Sequence, residues 1–189
     1  MKKMIPEDAV PSCVYGHDRA KHYSPDALYT PRERADLIST ARNWKHKLAV
    51  EKAFHLLRED DTILDYGCGR HCSLLKRLRA QNYHADGWDL CFDLYVPWEQ
   101  NNKRSYDVVI ASNVLNVQPD TRRAVEVLEE LGRLAGRLII FNYPNSPRKW
   151  KCAAKMVRVI AKICLPEWDL KHEYYGSGTL TVATRKEGS

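Results

Sequence analysis

The 189-residue sequence has no run of about 18 consecutive apolar residues, so it offers no candidate for a membrane-spanning helix. Its opening, "MKKMIPEDAVPSC", carries lysines without an apolar core segment, which argues against a secretory signal and for a cytoplasmic protein. Six cysteines are present (Cys13, Cys68, Cys72, Cys91, Cys152 and Cys164), yet none forms a C-x-x-C pair. That removes the usual zinc spacing, and in a reducing compartment free thiols are the expectation. Cys68, His71 and Cys72 lie close in sequence but lack a second ligand pair, so no metal is expected. Internal repeats and low-complexity segments are missing as well. With 44% hydrophobic residues, the chain supports one domain with a real core. The last absence is local: no acidic residue occurs from Ser146 to Pro166, in a chain that has 24 of them.

What is present centres on "ILDYGCGR", Ile63 to Arg70. Thr62, Ile63 and Leu64 read as a buried strand, and Gly67 and Gly69 let the backbone turn sharply and approach a ligand closely. Leu74, Leu75 and Leu78 then recur at the spacing of one helix face. The unit is strand, glycine turn, helix, and in a parallel α/β sheet such a turn lies where ligands bind. A nicotinamide or flavin fingerprint would place a third glycine at Cys72, which weakens that reading. Two carboxylates stand out: Asp65, just before the glycines, and Asp89, near the end of the next apparent strand in "HADGWDL". An acid at that second place suits ribose hydroxyls.

These motifs resemble those of class I S-adenosylmethionine-dependent methyltransferases. "LDYGCGR" is similar to their first motif, "GWD" to their ribose-binding acid, and "YDVVIASNVLN" (Tyr106 to Asn116) to their fourth strand with its substrate-side exit. The run from about Thr40 to Phe141 is also similar to methyltransferases associated with DNA phosphorothioation loci, which share "LDYGCGR", "GWD" and "VLNV" in this order. The resemblance implies S-adenosyl-L-methionine as cofactor, held by Asp65, Tyr66, Gly67, Cys68, Gly69, Asp89, Leu90, Ser112 and Asn113. It implies a doubly wound, Rossmann-like α/β sheet of the seven-strand type, mostly parallel, with a C-terminal antiparallel hairpin. Two departures are visible. His71 stands where the first motif usually has its third glycine, and only Leu90 to Ser105 separates strand two from strand four, so the third strand should be abbreviated or lost. The cofactor's sulfonium, ammonium and ribose call for carboxylates and a close backbone. Methyl transfer is an in-line displacement that depends on positioning, with a general base needed only for a protonated nucleophile.

Residues 1–40, with Pro6, Pro11, Pro25 and Pro31, read as an arm or lid on a domain spanning 41–189. Tyr15, His17, Arg19, His22, Tyr23 and Tyr29 could line a substrate entrance or anchor that arm. A helix is expected from about Trp44 to Leu57, and another from Pro119-Asp120-Thr121 to Gly136. Strand five is expected over Arg137 to Asn142, followed by a helix capped by Ser146-Pro147 and running to about Ile163. The tail "LKHEYYGSGTLTVATRK" reads as a hairpin.

The acceptor is less legible. An Asp/Asn-Pro-Pro-aromatic element, expected after strand four in enzymes that methylate DNA amino groups, is replaced by Ser112-Asn113-Val114-Leu115, and no Pro-Cys nucleophile is present there. Asn113, Asn116, Tyr143 and His71 are the polar groups expected to face the transferred methyl, with Asn113, Tyr143 and His71 as catalytic candidates. The formal charge of +6 comes from 30 basic and 24 acidic residues, and the segment from Ser146 to Pro166 holds six basic ones, so the whole excess sits there. At 100° per residue, Arg148, Lys151, Lys155, Arg158 and Lys162 span an arc of roughly 80°, with Met156, Val157, Ile160 and Ile163 turned toward the sheet. Such a stripe suits a phosphate backbone, a solvated face or, less well, an anionic membrane. Three functions follow: methyl transfer to a nucleic acid (DNA or RNA) or nucleotide, methyl transfer to a small molecule, or a catalytically silent cofactor-binding regulator. The sequence leaves the oligomeric state open.

Overall fold

The computed structural model describes residues 49–90, 94–97, 105–147 and 150–188. Seven strands form one sheet: β1 (Thr62–Tyr66), β2 (His84–Asp89), β3 (Leu94–Val96), β4 (Tyr106–Ala111), β5 (Ala135–Pro144), β6 (Trp168–Tyr175) and β7 (Gly178–Arg185). Their order is β3-β2-β1-β4-β5-β7-β6. The central pairs β2-β1, β1-β4 and β4-β5 are parallel, and β7 runs antiparallel to both β5 and β6. Among the described residues three α-helices pack on this sheet: α1 (Ser73–Ala80), α2 (Thr121–Leu134) and α3 (Ala154–Cys164).

The central strands β1, β4 and β5 are largely buried on both sides because helices cover both faces. Successive side chains of a strand point to opposite faces. Ile63, Val108, Ile110, Leu138 and Ile140 therefore pack with Leu74, Leu75 and Leu78 of α1. Leu64, Val109, Ala111, Ile139 and Phe141 pack on the other face with Ala124, Leu128 and Leu131 of α2 and with Val157 and Ala161 of α3. β1 lies between β2 and β4, so the chain leaves it to one side and later returns on the other. This reversal opens a crevice at the carboxyl ends of β1 and β4.

The third strand is short, as the spacing predicts, and it pairs antiparallel with β2. Only residues 90–93 lie between β2 and β3, whereas a parallel crossover needs about a dozen residues or more. A hairpin-like return is what so short a connection permits. The guanidinium of Arg79 on α1 ties the pair together by donating to the carbonyls of Ala85 and Val96.

Several boundaries differ from the sequence-based expectation. The segment Ala49–Leu56 is a 3-10 helix, while residues 44–48 of the expected helix, and the expected arm over 1–40, lie outside the described residues. Asp120 caps α2 by accepting from the Arg123 N–H at 2.9 Å, and α2 passes directly into β5 at Ala135, so Gly136 belongs to the strand. The largest shift is in α3. It starts at Ala154, with Ala153 as an N-cap lacking a side-chain bond, and Ser146-Pro147 does not start it. Residues 150–152, ahead of the helix, are held by Tyr143, described below.

Candidate functional site

At the carboxyl end of β1 the Gly67 and Cys68 N–H groups donate to the Trp88 carbonyl at 2.7 and 3.0 Å, folding the turn back onto β2. Both glycines have positive φ, +77° at Gly67 and +67° at Gly69, in the region that favours glycine. Their surroundings differ. A Cβ on Gly67 would stand 2.6 Å from Val114 Cγ2, so the turn is pressed against the loop that leaves β4. A Cβ on Gly69 would meet nothing within 4 Å. Gly69 thus borders open space, and its N–H donates to Asp89 Oδ2 at 2.8 Å. Asp89 ends β2 and is itself buried, held by this bond, while Leu90, next to it, is half-buried.

Asp65 faces the other way. Its carboxylate is 1% exposed and accepts from the Leu75 N–H at 3.0 Å, which anchors α1 beneath the turn. Burial pushes its carboxyl well above the usual carboxylate range, with the Leu75 N–H pulling the other way and Asp89 adding to the rise. Its place is inside the turn. Tyr66 is also buried, with its ring centroid 4.7 Å from that of Trp88.

The β4 exit loop brings a second set of polar groups to the crevice. Asn113 is exposed, with φ +59°, and is fixed through Asn142 at the end of β5. The Asn113 N–H donates to Asn142 Oδ1 at 2.9 Å, and Asn142 Nδ2 donates to Asn113 Oδ1 at 2.8 Å and to the Tyr175 hydroxyl at 3.1 Å. Ser112 lies 3.5 Å from the Asn113 amide. Sequence reasoning missed Asn142 and Tyr175; the signal was "FNYPN", whose asparagine sits at the end of strand five, beside the fourth-strand exit. Asn116 is buried, with Oδ1 lacking a hydrogen-bond partner. His71 is exposed on the turn that precedes α1.

Tyr143 requires a correction. Its side chain is 2% exposed, its hydroxyl bonds the Trp150 carbonyl and accepts from the Cys152 N–H at 3.2 Å, and its ring packs edge-on to Trp150. These contacts hold residues 150–152 in the absence of a helix there. A phenol occupied in this way does not face the crevice.

The basic segment also changes shape. Arg148 lies outside the described residues, and Lys151 precedes the helix. Lys155, Arg158 and Lys162 lie on α3 within an arc of about 60° at 100° per residue. Met156 and Ile163, expected against the sheet, are 45% and 71% exposed; Val157 and Ala161 are the residues buried. With Val159 also exposed, the outer face of α3 carries an apolar stripe beside the basic one. The Arg158 guanidinium stacks over the Tyr174 ring at 5.3 Å, and among the described residues none of these three cations forms an ion pair. No group of three or more metal-ligating side chains occurs among the described residues.

Solved structures share this fold. A TehB-like SAM-dependent methyltransferase from Corynebacterium glutamicum aligns over 72% of this chain and 86% of its own, with a TM-score of 0.52 and 18% identity. Magnesium protoporphyrin IX methyltransferase from Synechocystis, solved with bound SAM, aligns over 92% of this chain and all of its own, at a TM-score of 0.54 and 16% identity. The small RNA methyltransferase HEN1 aligns over 74% of this chain but 25% of its own, at a TM-score of 0.51 and 16% identity. No curated protein matches the sequence. The methyltransferase-domain family matches residues 32–171, well over half of the chain; the chain belongs to that family.

Proposed function

We propose that this S-adenosyl-L-methionine-dependent methyltransferase acts on a nucleic acid or a nucleotide, with its cofactor lying across Gly69. The residues of the crevice fit that cofactor: a Cβ at Gly69 would project into open space, so the backbone is accessible there, and Asp89 accepts from the N–H of that residue. Bound there, the cofactor supplies a methyl group on a sulfonium, ready for in-line displacement. Asp89 would accept from the ribose hydroxyls while Oδ2 keeps Gly69 in place. Asn113, fixed by Asn142 and Tyr175, would present its amide on the acceptor side. Asp65 and Tyr66 act behind the turn, as its support.

The observation that carries the acceptor class is the set of exposed Lys151, Lys155 and Lys162 with half-buried Arg158, in a segment without one acidic residue. Cations held on one helix face and left without carboxylate partners suit a phosphate backbone. The likeness of "LDYGCGR", "GWD" and "VLNV" to methyltransferases of DNA phosphorothioation loci makes DNA the first acceptor to assay. HEN1 is a relative in fold that acts on small RNA, so RNA comes next.

The test is transfer of tritiated methyl to DNA, RNA, free nucleotides and a metabolite extract. Label should enter a nucleic acid or nucleotide. Reversing Lys155, Arg158 and Lys162 to Glu should weaken polynucleotide binding and flatten its salt dependence by about one unit of slope per lost phosphate contact, with cofactor affinity unchanged. Label confined to the metabolite extract would transfer the assignment to a small-molecule acceptor. Tight cofactor binding with no transfer to any arm would make the chain a regulatory binding domain.

A further inference from the structure

Two cysteines face each other inside the glycine turn. Cys68 and Cys72 have their sulfur atoms 3.8 Å apart, and Cys72 Sγ lies 3.5 Å from the Gly69 carbonyl. Neither position is accidental. The Cys68 side chain lies over Gly87 of β2, where a Cβ would stand 3.2 Å from its sulfur, so a glycine on the neighbouring strand makes room for the thiol. Cys72 adopts φ +48° at the start of α1, a left-handed conformation that is uncommon outside glycine, asparagine and aspartate. Its backbone is held on both sides, donating to the Gly69 carbonyl at 3.1 Å and accepting from the Lys76 N–H at 2.9 Å. Cys68 and Cys72 bracket Gly69, Arg70 and His71, the part of the turn whose N–H reaches Asp89.

We propose that Cys68 and Cys72 are a peroxide-sensitive thiol pair that closes reversibly to a disulfide and thereby deforms the turn at Gly69. The Cys72 thiolate attacks one oxygen of hydrogen peroxide, the O–O bond breaks, and the departing hydroxide takes a proton to become water. The sulfur of Cys68 then attacks the resulting sulfenic acid, the S–O bond breaks, and the Cys68 proton leaves with the second water. Two thiols lose two electrons and one peroxide gains them. The hydrogen bond between the two thiols, reinforced by the charges of Lys76 and Arg79, brings the Cys72 thiol down to about 7 against the opposing effect of burial, which makes it the first nucleophile. The same hydrogen bond, together with burial, pushes the Cys68 thiol up.

Joining the sulfurs means closing 3.8 Å to the S–S bond length of about 2.05 Å. Because β2 holds Cys68 and α1 holds Cys72, the three residues between them take up the movement, and the Gly69 N–H is drawn from Asp89. Ligand binding over Gly69 then weakens. This consequence rests on the cofactor site proposed above; the disulfide itself does not.

Trypsin makes the link directly visible, because Arg70 lies between the two cysteines. Cleavage after Arg58, Arg70 and Lys76 leaves Cys68 in peptide 59–70 and Cys72 in peptide 71–76. Reduced whole protein, titrated with hydrogen peroxide and alkylated, should yield these two peptides as one disulfide-joined species that dithiothreitol separates. In Cys68→Ser, dimedone should trap a sulfenic acid on Cys72. Calorimetry with S-adenosylhomocysteine should show roughly tenfold weaker binding to the oxidised protein than to the same sample after reduction, and no such difference in peroxide-treated Cys72→Ser compared with its own reduced form. Failure of the two peptides to join, or joining of other cysteines instead, overturns the pair. Equal affinity of oxidised and reduced protein overturns its effect on the turn. A reduced protein that does not bind S-adenosylhomocysteine counts against the cofactor site alone, since the joined peptides form regardless.

Discussion

The two glycines of the turn should respond differently to the same substitution. Alanine at Gly67 must adopt φ +77°, at about 1–2 kcal/mol for an L-residue in the left-handed region, and its methyl meets Val114 Cγ2 at 2.6 Å. An unstrained carbon contact is about 3.5–4.0 Å, so one side must give way, and forced overpacking costs about 1–3 kcal/mol. Gly67→Ala should therefore lose about 2–5 kcal/mol. For a chain of this length each kcal/mol moves Tm by about 2–4 °C, so a drop on the order of 10 °C is expected. Gly69→Ala bears only the conformational cost, about 1–2 kcal/mol and a few degrees, because its methyl enters open space. That space is the one assigned to the cofactor, so the variant with the milder melting change should have the greater loss of binding. Thermal melts with and without S-adenosylhomocysteine measure both effects. Gly67→Ala should keep most of the ligand-induced rise in Tm, and Gly69→Ala should lose it. In a double-mutant cycle, Val114→Ala should recover part of the Gly67→Ala loss as a coupling of about 1–3 kcal/mol. If Gly69→Ala shows the wild-type rise with ligand, the cofactor does not lie over Gly69. If Gly67→Ala melts with the wild type, the packing argument is wrong.

Removing the Asp89 carboxylate should cost a hydrogen bond to a charged group, about 1.5–3 kcal/mol, so Asp89→Ala should weaken S-adenosylhomocysteine binding roughly ten- to a hundredfold by calorimetry; unchanged affinity in a folded variant would reject its ribose role. Asp65 tests burial. An acid whose folded pKa is raised binds more protons folded than unfolded, so its contribution to stability is full below the unfolded value near 4 and falls as pH rises toward the folded one. Asn keeps an acceptor for the Leu75 N–H and does not titrate, so urea melts should show Asp65→Asn gaining on the wild type as pH climbs from about 4, and a pH-independent difference would refute the assignment. Tyr143→Phe should lower stability by about 1–2 kcal/mol through its lost bonds to residues 150 and 152, with kcat unchanged; a collapse of kcat at normal stability would restore the phenol to the chemistry.

What the sequence determined by itself was local or periodic. The strand, glycine turn and helix from Thr62 to Ala80 follow from β-branched residues, glycines and a helical leucine spacing, and all three are short-range features. The resemblance of the motifs implied a doubly wound sheet, and the short interval from Leu90 to Ser105 implied an abbreviated third strand. Its antiparallel direction was decided by the structure, which leaves only residues 90–93 between β2 and β3. The tertiary structure decided which way the polar side chains point. Asp65 and Asp89 look alike in sequence and both are buried, yet the first accepts from the Leu75 N–H of α1 and the second from the Gly69 N–H of the turn. Asn113 meets Asn142 across 29 residues, and Tyr143 is turned inward by Trp150, a partner whose position follows no helical or strand period. The apolar period around Met156 and Ile163 predicted a buried face, but α3 begins seven residues later than its Ser146-Pro147 signal suggests, at Ala154, and turns both outward. Periodicity sets which residues share a face. Which face is covered depends on neighbours brought in from elsewhere in the chain.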